Sequence, residues 1–221
     1  MSWFRMHPAI YWLLGLAIMA FAVFFYFQDQ KDEAAKSVAL SQDPPTAVDV
    51  ASFNNATDVG PADEVVLQGQ IDHTARYTLV RKKKRRETTN WIIPLYASDA
   101  TERPDAVKFM LLGEADEVPL QKILETATSL EGDRPTVEIN GVITKPGKFR
   151  SMVSEAMQEQ GMSLASDAVF IEPFLEGREA GLAANRNGPT TSLVIGGLGV
   201  LLFLYGFLRR NARRKARALG A

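Results

Sequence analysis

Six consecutive cations, Arg81, Lys82, Lys83, Lys84, Arg85 and Arg86, form the strongest local chemical signal in the chain. They stand between two strand-like runs, residues 76–80 and 90–97, and so occupy a hairpin tip and its flanks. Two kinds of chemistry fit such a run. It is a solvated turn extended by self-repulsion, or it is a contact for anionic lipid head groups or an acidic partner. Thr88, Thr89 and Asn90 beside it could donate hydrogen bonds to phosphates, although the same residue types suit a turn.

Groups able to run a reaction are sparse. The chain has two histidines, His7 and His73, and no cysteine, so thiolate metal sites and redox thiols are excluded. Asp72 adjoins His73, but neighbours on a strand point to opposite faces, and nothing resembles a nucleophile elbow, so His73 reads as a surface residue. Met152, Met157 and Met162 are soft thioether ligands in type. A spacing of five turns a helix by about 140° per step, however, so the three share no face and read as packing. Glu114, Asp116 and Glu117 read as a solvated loop rather than a cation site. No H-E-x-x-H, P-loop, G-x-G-x-x-G or EF-hand pattern occurs. These residues imply no catalytic set, no cofactor and no metal, and the expected protein is not an enzyme.

What positions the basic run is a chain with an apolar segment at each end. Residues 8–27 are uncharged and long enough to span a bilayer, which takes about 20 apolar residues. Residues 191–208 form a second, shorter segment that reaches full span by counting 190–192. The first exceeds the h-region of a cleaved signal peptide and no A-x-A-like site follows it, so it reads as an uncleaved anchor. Arg209, Arg210, Arg213, Arg214, Lys215 and Arg217 follow the second with no acidic residue among them. Such a tail stays cytoplasmic. Two crossings then place both termini in the cytoplasm and the intervening region outside, in a bacterial inner membrane with a periplasmic domain. Neither segment carries an ionisable side chain, so no ion path is implied. Ser192, Gly196, Gly197 and Gly199 bare a smooth patch suited to helix–helix contact with an intramembrane partner.

The organisation expected is a cytoplasmic N-terminus (1–7), a first span (8–27), a polar tether (28–62) opening with a helical continuation through Ala39, an exported domain (63–176), a second tether (177–190), a second span (191–208) and a basic tail (209–221). Within the exported domain, strands are expected at 64–72, 76–80, 90–97, 107–112, 136–144 and 168–174. Helices are expected at 120–130 and at 150–160, the latter stopped by Gly161. Gly69 and Gly141 fall in mid-strand, where glycine marks bulges and barrel corners. The fold class is a membrane α+β protein. Its two transmembrane helices flank a mostly-β domain, an OB-like barrel with one or two inserted helices, with a split α+β sandwich as the alternative.

The first strand VVLQGQID, the strand carrying Ile93, Pro94 and Leu95, and the strand-turn VEINGVITKPGKF resemble, in this order between two membrane helices, the Surfeit-locus (Shy-type) cytochrome oxidase assembly factors. Where that family carries an Arg-Gly-Trp strand this chain reads KFMLLG, and no histidine opens the second span. The resemblance therefore implies a two-helix exported scaffold attached to a respiratory complex, with no haem site. The function expected is non-enzymatic assistance to the assembly or stability of an integral membrane complex, a respiratory oxidase by the resemblance. Its partners are the membrane and that complex, with no nucleic acid. The alternative is a membrane-tethered periplasmic module binding anionic lipid, metal or a small ligand.

Overall fold

The computed structural model describes residues 8–83, 86–114, 119–130, 134–147, 149–183 and 189–219. It divides into two compact units, one of Met1–Ala35 with Asn185–Ala221 and one of Lys36–Ala184.

The second unit is a closed five-strand β-barrel. Its barrel strands are β2 (Glu64–Ile71), β4 (Arg86–Tyr96), β5 (Ala106–Glu114), β7 (Thr136–Thr144) and β8 (Ser163–Pro173). The short strands β1 (Val48–Asp49), β3 (Tyr77–Lys83) and β6 (Ala127–Ser129) add to their edges. β2 pairs antiparallel with β4, β4 with β5, β8 with β7 and β7 with β2, while β5 and β8 run parallel. Counting only barrel strands, the order is 1-2-3-5-4-1, the Greek-key order of OB-like barrels. The two mid-strand glycines sit where closure demands them. At Gly69, β2 passes from β7 towards β4, and a Cβ there would collide with the Tyr96 carbonyl. At Gly141, β7 is paired to both β2 and β8, and a Cβ would collide with the Glu172 carbonyl.

Alternate residues of β4 and β5 enter two different cores. Trp91, Ile93, Leu95, Phe109 and Leu111 fill the barrel interior. Ile92, Tyr96, Met110 and Leu112 point outward and are buried under Val153 and Met157 of α3 (Phe149–Glu159), with Met162 beside them. A strand covered on both faces has no polar face to alternate with, which is why 91–96 and 109–112 read as unbroken apolar runs. α3 stops in a Schellman arrangement. Gly161 adopts φ +74, its N–H donates to the Gln158 carbonyl, and Met162 N–H donates to the Met157 carbonyl.

Three segments depart from the sequence expectation. Residues 178–183, read as tether, form a helix in which Leu182 is buried. Residues 120–130 form helix only at α2 (Leu120–Leu124), after which 127–129 become β6. The edge of β7 offers hydrogen bonds there, Glu138 N–H donating to the Thr126 carbonyl. Ile123 is buried, whereas Leu130 is 72% exposed, so the apolar period ends before it. Residues 48–53, read as tether, belong to the barrel. β1 pairs parallel with β2 at Leu67 and Gln68, Val50 N–H donates to the Gln68 carbonyl, and Val50 and Phe53 are buried in the interior core.

One buried ion pair ties the barrel's ends together. Glu64, which opens β2, is fully buried, and Arg178, which opens α4 (Arg178–Ala183), grips it bidentately through Nε at 2.7 Å and NH2 at 2.9 Å. The same guanidinium donates to the Ala39 carbonyl at 2.6 Å and the Gln42 carbonyl at 3.0 Å, at the end of helix α1 (Pro8–Ser41). These carbonyls are among those a helix end leaves without intrahelical partners.

The first unit holds the apolar parts of α1 and of α5 (Pro189–Leu219), two helices long and apolar enough to cross a membrane. They pack antiparallel: Asp29 meets Ser192, Ala22 meets Gly196, Gly15 meets Gly199, and Trp12 meets Gly206. A Cβ on Gly199 would lie 3.0 Å from the Met19 nitrogen and 3.1 Å from the Gly15 carbonyl oxygen. Phe21, Phe24 and Phe27 on α1 stay exposed.

Removing Arg178 strands a buried carboxylate. Arg178→Ala should destabilise the barrel by about 3–5 kcal/mol, measured by urea unfolding of the full chain in detergent. Replacing Glu64 and Arg178 together by methionine should recover most of that loss, and equal losses for the single and double variants would show the pair to be uncoupled. In the helix unit, cysteines placed at Asp29 and Ser192 of this cysteine-free chain should cross-link readily. Adding Gly199→Leu should cut the yield severalfold.

Candidate functional site

The barrel's most polar construction lies where β2 ends and the hairpin of β3 and β4 begins. Asp72 closes β2 and caps the short turn His73–Ala75, accepting from Thr74 N–H at 3.1 Å, Ala75 N–H at 3.2 Å and Thr74 Oγ1 at 2.6 Å. Arg103 completes the set, donating through Nε to Asp72 Oδ2 at 2.6 Å and through NH2 to Thr74 Oγ1 at 2.5 Å. Burial alone would raise the Asp72 pKa, but the hydrogen bonds from Thr74 and Arg103 and the Arg103 charge outweigh it and hold the carboxyl below its ordinary value. Tyr96 lies close by and is pushed up to about 12, first by burial and then by the Asp72 carboxylate. Its hydroxyl donates to Met162 Sδ at 3.3 Å. Arg134 stacks 5.6 Å from the Tyr96 ring centre and donates to the carbonyls of Ala100, Thr101 and Glu102.

This network braces the loop between β4 and β5 against the foot of the hairpin. It leaves no idle base, because Asp72 already accepts four hydrogen bonds. Among the described residues no hydrogen bond joins His73 to Asp72, and none of the His, Asp and Glu side chains gather in threes as a cation site. Met157 and Met162 are packed in the outer core and Met152 is half-buried. Glu114 ends β5 opposite Asn90. His7, Asp116 and Glu117 lie outside the described residues.

Above this foot, the hairpin continues as a two-stranded ribbon. β4 pairs with β5 from Asn90 to Leu95, but its residues 86–89 pair only with β3. The register sets Lys83 opposite Arg86, Lys82 opposite Glu87 and Arg81 opposite Thr88. The fold thus carries the backbone of Arg81, Lys82, Lys83 and Arg86 on a ribbon that extends past the barrel sheet. Lys84 and Arg85, and the side chains of Arg81, Lys82, Lys83 and Arg86, lie outside the described residues. At the ribbon's base the Tyr77 hydroxyl and Asn90 Nδ2 are buried without hydrogen-bond partners.

OB-like barrels use the face of their second and third strands, here β4 and β5, as a ligand platform. In this chain α3 covers that face. An open groove of about 440 Å³ remains beside α3, lined by Gly147, Arg150, Ser151, Ser154 and Leu164, and Arg150 there is engaged with the carbonyls of Ala165 and Ser166 at 2.9 and 2.7 Å.

The small residues of the second apolar helix divide. Ser192 donates to Asp29 Oδ2 at 2.7 Å, and Gly196 and Gly199 face α1, so the helix approaching them is the chain's own. Nothing lies within 4 Å of a Cβ on Gly197. Of the tail cations, Arg209 stacks over Tyr11 and Arg210 over Trp12. Arg213, Arg214, Lys215 and Arg217 continue helix α5, their side chains outside the described residues. Sequence reasoning missed Glu64, Arg103, Arg134, Arg178, Gly15 and Gly206. The Asp-x-Thr step at Asp72 and Thr74 was a legible turn signal, whereas the arginines sit in loops or helix starts with no local pattern around them. No protein family and no curated protein matches the chain.

Asp72 supplies a signed pH test. A carboxyl whose folded pKa is depressed stabilises fully above its unfolded value of about 3.9, and that contribution is lost as pH falls through the folded value. Arg103→Ala should raise the folded pKa and move the acid-unfolding transition of the barrel to higher pH. In an Asp72→Asn background the same replacement should leave the acid limb in place, as followed by near-ultraviolet circular dichroism.

Proposed function

We propose that the chain is a non-enzymatic inner-membrane protein that assists the assembly or stability of a larger membrane complex, with both termini cytoplasmic and the barrel in the periplasm. The observation that carries the reading is the covered platform: α3 occupies the face on which an OB-like barrel would seat a small or oligomeric ligand, while the β3–β4 ribbon extends past the sheet with its basic run. Recognition is thereby directed to a protruding edge, which suits a macromolecular surface better than a small molecule. Two apolar helices keep the domain beside membrane neighbours. The resemblance to the Shy-type assembly factors makes a respiratory oxidase the first complex to test. Nucleic acid, the ordinary cargo of a basic OB-like barrel, is disfavoured by the covered platform and by an exported domain.

The same ribbon favours one second reading, a tethered module for anionic lipid. Each cation near an anionic surface contributes about 1 kcal/mol, so changing residues 81–86 to glutamate should weaken binding by roughly a hundredfold or more under either reading. Mild-detergent purification followed by native electrophoresis separates them. The assembly reading expects the wild-type chain to migrate with a larger complex and the reversed variant to run alone. Recovery of the wild-type chain alone at every detergent strength, with flotation on anionic liposomes intact, would favour the lipid module. A reporter fused after Ala221 should be active in its cytoplasmic form, and an exported reporter would invert the topology.

A further inference from the structure

We infer that Arg210, supported by Arg209, forms a binding site for the phosphate of an anionic phospholipid head group at the end of the α1/α5 helix pair. The inference rests on reading these helices as membrane spans but not on which side their ends face. Phe203, Gly206, Phe207 and Arg210 fall at i, i+3, i+4 and i+7 on α5, one stripe of a helix. Trp12 of α1 lies along that stripe, its ring stacked 5.9 Å from Phe203 and 6.4 Å from Phe207. Gly206 makes this possible, since a Cβ there would come within 2.6 Å of Trp12 Cδ1. The Arg210 guanidinium then sits 4.8 Å above the indole. One residue earlier, Arg209 lies 5.6 Å from the Tyr11 ring centre and donates to its hydroxyl at 3.2 Å.

Two guanidinium groups from consecutive residues are therefore each held over a ring supplied by the other helix. Stacking uses the face of a guanidinium and leaves its N–H fork in the plane, the geometry that takes a phosphate bidentately. Among the described residues Arg210 has no hydrogen-bond acceptor and no carboxylate. The sequence offers none nearby: residues 1–28 and 180–221 contain no Asp or Glu at all. No side-chain carboxylate in either stretch competes for the guanidinium, which leaves it open to an anion from outside the chain. Its depth selects the source. Arg209 and Arg210 directly follow Leu208, the end of the apolar run, which places them at head-group level. Leu204, Phe207 and Leu208 beside them are exposed and would meet acyl chain, which a free phosphate ion lacks. At about 100° per residue, positions 209, 210, 213, 214 and 217 fall within an arc of roughly 140° on α5, so the helix carries further cations along the same side.

Native mass spectrometry of the full-length protein in detergent tests this, with phosphatidylglycerol, phosphatidylcholine and inorganic phosphate as separate probes. Phosphatidylglycerol adducts should exceed phosphatidylcholine adducts at least about tenfold, with no adduct of inorganic phosphate at equal concentration. Arg210→Lys keeps the charge and the helix pair but loses the planar fork, and should lower phosphatidylglycerol binding by about fivefold or more. Trp12→Leu should lower it similarly while every tail cation is retained. Unchanged binding in Arg210→Lys, equal binding of phosphatidylcholine, or displacement of the lipid by inorganic phosphate would each overturn the site. A chain that stays soluble without detergent would instead overturn the span reading beneath it.

Discussion

The barrel depends on one carboxylate that has left water completely. Glu64 is fully buried, and an isolated charge there would cost several kcal/mol. Arg178 repays that cost only because its fork is bidentate and its remaining donors reach the carbonyls of Ala39 and Gln42. A hydrophobic pair of the same volume would stabilise as well, so the pair's contribution lies in what it specifies. The segment leading into the barrel, the first barrel strand and the start of α4 are all held to one guanidinium. The interaction holds together the two ends of the Lys36–Ala184 unit. Around it, Gly177 at φ +93 turns the chain into α4.

The other constraint is the double burial of β4 and β5. An OB-like barrel needs only its interior filled, and its outer platform is ordinarily available to ligand. Here Ile92, Met110 and Leu112 make that platform apolar, and Val153 and Met157 of α3 close it. The Schellman stop at Gly161 then folds Met162 back into the same cluster, where its sulfur accepts the Tyr96 hydroxyl. The outer face of β4 and β5 is thus packed as a second core. The part of β4 that stays outside both cores is the ribbon beyond Asn90, footed on the network of Asp72, Arg103 and Arg134.

How far the sequence disclosed this follows from the range of the interactions. Gly69 and Gly141 announced barrel corners because a corner is a local backbone requirement. The unbroken run around Trp91 announced strand but not double burial, since period alone cannot separate the two. Val50 and Phe53 were illegible because polar turn residues isolate them and only two residues pair at β1. Leu130 misled because its helical spacing was not matched by burial. The ion pairs were beyond reach: Arg103 meets Asp72 across 31 residues and Arg178 meets Glu64 across 114, and no pattern spans such distances. The patch of Ser192, Gly196 and Gly199 was visible, but its occupant was not, because Gly15 looks like an isolated glycine until α1 is laid against α5.

The net charge is only -1, yet the two signs are arranged very differently. The key carboxylates of the barrel, Asp49, Glu64 and Asp72, are internal acceptors, consumed by N–H groups and arginines of the same fold. Twelve of the 25 cations are grouped at residues 81–86 and 209–217, and the second cluster lies in a stretch with no acidic residue. Massing like charges costs self-repulsion that dispersal would avoid. Neither cluster supplies the barrel's core, which is complete without them. The burial of Glu64 and Asp72 is therefore balanced by arginines of the barrel unit itself, Arg178 and Arg103, and calls on neither basic cluster.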